Sequence, residues 1–64
     1  MTTITAFVPN TAILDFALED ITDTFPCFIE REFAEMDHSK ISVACRDEDA
    51  DAVGRRLTVA LMLS

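Results

Sequence analysis

The chain has 64 residues, half of them apolar, with 12 acidic and 5 basic side chains that leave a formal charge of −7. A folded chain of this length hides only ~60% of the surface its unfolded form exposes, which excludes a deep catalytic cleft behind a separate core. One Gly, two Pro and a mean hydropathy of +0.25 exclude a disordered acidic tail, so the sequence reads as one folded domain over residues 1–64.

In chain order, Ile4, Ala6 and Val8 alternate with Thr3, Thr5 and Phe7, which predicts a strand over 2–8, cut off by Pro9 and Asn10. Asn10 or Thr11 can cap a helix over 11–23 in which Leu14, Leu18, Ile21 and Phe25 recur at helical spacing, with Asp15, Glu19 and Asp23 elsewhere around it. Residues 26–36 carry conflicting signals. Phe25, Phe28, Ile29, Phe33 and Met36 fit a helical stripe that Glu32 interrupts, and a strand would set Arg31 between Ile29 and Phe33. The helix formers of Glu30 to Met36 tip the expectation to a helix, the alternative being a strand followed by a hairpin around Asp37 to Ser39. Ile41, Val43 and Cys45 alternate with Ser42, Ala44 and Arg46, a strand over 40–46. Asp47 is then expected to cap a helix over 48–63, with Glu48, Asp49 and Asp51 favoured in its first turn by the helix dipole.

The expected architecture is α+β, a small single sheet packed on one face by two or three helices. Its order is β-α-α-β-α, or β-α-β-β-α if 26–36 is a strand. Ile4, Ala6, Val8, Leu14, Leu18, Ile21, Phe25, Phe33, Ile41, Val43, Val53 and Leu57 are the expected core. Val59, Met62 and Leu63 cannot share a face with Leu57 and Leu61, and so predict a homodimer interface on the final helix or at an open strand edge.

The motifs for chemistry are thin. Asp47, Asp49 and Asp51 match alternate positions of a calcium loop, but Ala52 stands where that loop needs Gly and Thr58 where it needs a bidentate Glu, so no metal site is expected. Cys27, Asp37 and His38 supply the residue types of a cysteine hydrolase, yet one Gly gives little for an oxyanion site, and His38 in a polar turn reads as a solvated imidazole. No phosphate-cradling or zinc-protease motif occurs, so neither enzyme activity nor a cofactor is expected. Cys27 and Cys45 read as free thiols of a reducing compartment, able to bridge only if their segments lie side by side.

The acids fall into three groups, Asp15 to Asp23, Glu30 to Asp37 and Asp47 to Asp51. Such a field repels nucleic acid and anionic lipid but attracts basic proteins, so Glu30, Glu32, Glu35, Asp37, Asp47, Glu48, Asp49 and Asp51 are the candidate partner-binding residues. Carboxylates on helices can imitate the phosphate spacing of a duplex. In size and charge the chain is similar to the small acidic inhibitors that phages and plasmids encode against host defences, such as anti-CRISPR and anti-restriction proteins. The functional expectation is therefore a non-catalytic inhibitor or regulator of a larger, basic, nucleic-acid-handling protein, with a structural or adaptor subunit as the alternative. Met1 to Leu14 lacks Lys and Arg, and the longest nearly apolar stretch, Leu57 to Leu63, falls short of the ~20 residues of a membrane span, so a cytoplasmic location is expected.

Overall fold

The computed structural model describes residues 1–63. β1 (Thr2–Pro9) leads into α1 (Ala12–Thr24), β2 (Cys27–Phe33) and β3 (His38–Cys45) form a hairpin, and a 3-10 turn (Asp47–Asp49) opens α2 (Ala50–Leu63). The order β-α-β-β-α is the second of the two expected, in the α+β class.

The sheet is ordered β1-β3-β2 and both pairings are antiparallel. β3 is therefore central, and β1 and β2 are parallel edge strands joined by α1 across the inserted β3. The register sets Ile4 and Ile29 on either side of Val43, Ala6 and Arg31 beside Ile41, and Thr2 and Cys27 beside Cys45. Because side chains alternate along a strand, these residues share the helix-covered face, while Thr3, Thr5, Phe7, Phe28, Glu30, Glu32, Lys40 and Ser42 look away from it. α1 lies against β2, α2 lies against β1, and the helices pack on each other. They run in opposite directions, since the strands that feed them do.

Helix formation follows local chemistry. Thr11 caps α1, its side-chain oxygen accepting from the Leu14 N–H at 3.4 Å. At α2 the expectation of an Asp47 cap is corrected: Arg46 precedes the 3-10 turn without a side-chain cap bond, and the α-helix proper begins at Ala50. Asp47 is engaged elsewhere, accepting from the Thr2 hydroxyl at 2.6 Å and lying 3.2 Å from the Met1 ammonium.

The expectation of a helix over 26–36 is overturned: Cys27–Phe33 is a strand. Helix propensity there amounts to a few tenths of a kcal/mol per residue and loses to the ladder with β3. The turn is also displaced, to Ala34–Asp37, with the His38 N–H donating to the Glu35 carbonyl at 3.2 Å. Met36 and Asp37 hold φ of 59° and 57°, two successive left-handed residues as in the tight turns that match strand twist.

Val8, Leu14, Ile21, Ile41, Val43, Cys45, Val53, Leu57 and Ala60 are buried, with Ile4, Ala6, Leu18, Phe25, Cys27 and Ile29 partly buried around them. Phe33, expected in the core, is 84% exposed. It ends an edge strand, and Arg31 rather than Phe33 fills the space between β2 and the first turn of α1.

Candidate functional site

The charged side chains sort by element. Residues 12–37, from α1 through the hairpin turn, hold eight acids against Arg31 alone, whereas the rest of the chain holds four acids and four bases. The whole net charge thus belongs to α1, β2 and their turn, which together form one lateral half of the molecule. The other half, built from β1, β3 and α2, is neutral.

Within the acidic half, Arg31 is consumed internally. Its guanidinium donates to Asp15 at 2.8 Å, to Asn10 at 2.9 Å and to the buried Ser39 hydroxyl at 3.4 Å, and Ser39 in turn donates to Asn10. From the neutral half, Arg56 donates to Asp20 and lies over the Phe25 ring, 5.3 Å from its centroid. Glu19, Asp23, Glu30, Glu32, Glu35 and Asp37 are exposed and have no ion-pair partner among the described residues. Glu30 and Glu32 stand on the open face of the sheet, Glu19 and Asp23 on α1 beyond the opposite face. The unpaired edge of β2 runs between them.

The eight expected partner-binding acids do not form one patch. Glu30, Glu32, Glu35 and Asp37 lie along β2 and its turn, while Asp47, Glu48, Asp49 and Asp51 lie at the other end of the sheet, where β3 hands over to α2. That second group is largely compensated. Arg46 sits 3.3 Å from Glu48 and 3.0 Å from Asp49, the hydrogen bond to Asp49 leading the effects that hold its guanidinium above its ordinary pKa. Asp47 is held below the ordinary carboxylate value, first by the Thr2 hydroxyl and then by the terminal ammonium. Among the described residues no group of three or more His, Cys, Asp or Glu could hold a metal ion.

Cys27 and His38 occupy opposite ends of the β2–β3 hairpin, roughly 20 Å apart at ~3.3 Å per residue, so the hydrolase constellation is not assembled. His38 is half-buried rather than solvated as expected, its Nδ1 2.8 Å from the Met36 carbonyl. Cys27 instead faces Cys45 directly across the strand pair, both as free thiols. Burial, then the neighbouring Cys45 and Asp49, raise the Cys27 pKa above its ordinary value.

An apolar groove separates the two helices, walled by Ile13, Phe16 and Ala17 on α1 and by Val59 and Ala60 on α2, with Asp20 and Arg56 at one end. Val59, expected at an interface, meets Phe16 here. Phe16 is 72% exposed, and Met62 and Leu63, one turn beyond Val59, are exposed as well. Phe16 escaped the sequence reading because it lies off the Leu14–Leu18–Ile21 stripe, on a flank that has meaning only once α2 is beside it.

No helix of the described residues is long and apolar enough to cross a membrane. Comparison with protein-family models, with curated proteins and with solved structures finds no match.

Proposed function

We propose that the protein is a non-catalytic, cytoplasmic binding module, an inhibitor or regulator whose partner is a larger protein with a basic, nucleic-acid-handling surface. The observation that carries this reading is the gathering of six unpaired carboxylates on the α1–β2 half of a molecule whose other half is neutral. Exposed charges add little to folding stability, so a one-sided excess is better accounted for by steering than by structure. An acidic surface of this kind can compete for a groove built to hold phosphates, which would suit an inhibitor of the anti-defence type that the chain is similar to in size and charge.

The test is affinity capture from host cells at low salt with the wild-type chain and with a variant carrying Glu30→Lys, Glu32→Lys, Glu35→Lys and Asp37→Lys. The expected result is capture of basic proteins by the wild type, their release as salt rises past ~0.15 M, where the screening length is ~8 Å, and their loss with the variant. Equal capture by both chains, undisturbed by high salt, would overturn the electrostatic reading. It would favour the second one, an adaptor subunit held through the groove of Phe16 and Val59 and the exposed Met62 and Leu63 beyond it, where aromatic and Met anchors give salt-tolerant binding.

A further inference from the structure

We infer that β1 is a seam through which two copies of this chain join, edge to edge, into one six-stranded antiparallel sheet. Both outer strands of the sheet present unpaired backbone groups, but they differ in what guards them. β2 carries Glu30, Arg31 and Glu32 at its middle, the charges with which proteins deter further strand pairing. β1 reads Thr-Thr-Ile-Thr-Ala-Phe-Val-Pro, eight residues without a charge and with Pro only at the last position.

Electrostatics select a second copy as the occupant. A molecule of net charge −7 meets its own kind with least repulsion through its neutral half, and β1 is the outermost strand of that half. Groove-to-groove association through the helices would instead bring together two copies of α1, whose Asp15, Glu19, Asp20 and Asp23 are offset only in part by Arg55 and Arg56 of α2 across the groove.

The register is constrained too. A two-fold axis perpendicular to the sheet preserves the alternation of faces only if residues of like parity pair, and centring it on Thr5 aligns 2–8 of one copy with 8–2 of the other. Ile4 then meets Ala6 on the helix side and Phe7 meets Thr3 on the open side, while Pro9, which cannot donate, falls outside the seam. On the helix side a groove beside β1, lined by Ile4, Ala6, Ala50, Gly54 and Leu57, is brought against its symmetry mate. The seam leaves both acidic halves pointing outward, at the two ends of the joined sheet.

Thr5 is exposed and sits on the axis, so a charge placed there faces itself. Sedimentation of the wild-type chain is expected to give twice the 7.1 kDa chain mass at tens of micromolar, Thr5→Lys and Thr5→Glu each to give the single-chain mass with an unchanged far-UV spectrum, and their equimolar mixture to recover the dimer. Thr3→Lys, a second exposed position on the same strand, provides the comparison should either Thr5 variant lose its spectrum. A wild-type chain that stays monomeric to millimolar concentration would overturn the inference. So would a dimer that survives the Thr5 and Thr3 variants but is dissolved by Met62→Glu, which would move the contact to the helices.

Discussion

Met36 and Asp37 adopt left-handed backbone conformations, which cost a side chain such as that of Met36 roughly 1–2 kcal/mol and the short polar one of Asp37 less, and neither position holds Asn or Gly. The double substitution Met36→Asn with Asp37→Gly removes that cost without touching a packed side chain, and is expected to raise stability by about 1 kcal/mol in urea denaturation. Arg31 presents the opposite case, a charged residue on the core face that is tolerated because Asp15, Asn10 and Ser39 share its donors. Arg31→Ala is expected to cost about 1–2 kcal/mol, and Arg31→Lys to recover little of it, since an ammonium cannot span three acceptors as a guanidinium does. At Cys27 the raised thiol pKa means that the folded chain holds this proton more tightly than the unfolded one. Stability is therefore full below the unfolded value and declines as pH rises through it toward the folded value. Cys27→Ser, which does not titrate there, should lose less stability between pH 8 and pH 10 in thermal melts.

The elements differ in how openly the sequence announces them. β1, α1 and β3 each have a single period uncontradicted by charge, and their expected boundaries lie within two residues of the observed ones. β2 was illegible because both of its faces are irregular: Phe28 and Phe33 are exposed, Arg31 faces the helices, and only Cys27 and Ile29 pack inward. An edge strand borrows its hydrogen bonds from a neighbour distant in sequence, so local periodicity carries less of its information. The acids on β2 were legible as residues, but their grouping with α1 against a neutral remainder depends on which strand takes the centre of the sheet. Central β3 buries Ser39, Ile41, Val43 and Cys45. Val43→Ala there is expected to cost about 2–4 kcal/mol, whereas Leu18→Ala, at a partly buried position, should cost less. Gly54 lies mid-helix with Ile4 Cδ1, at 4.0 Å, as the nearest atom to an added Cβ, so Gly54→Ala should stabilise the fold by about 0.5–1 kcal/mol in the same assay.

Over the whole molecule, stability of roughly 3–10 kcal/mol is what a domain of this length possesses, and a single core truncation removes a large part of it. Native-state hydrogen exchange should find the slowest amides in β3, bonded on both sides, and the fastest strand amides on the outward edge of β2. The placing of β3 between its two predecessors also has a consequence in time. A ribosome delivers β1 first, yet the strand it pairs with begins 29 positions after Pro9, at His38. At roughly 5–20 residues per second, the uncharged β1 waits on the order of 2–7 s for β3 to be made, while α1 can form and β2 waits for the same strand. Closing the β2–β3 turn, an event of roughly 1–10 μs once β3 exists, then creates the template for β1, so the pace of translation rather than the folding of the hairpin sets how long the stickiest strand of the nascent chain stays unpaired.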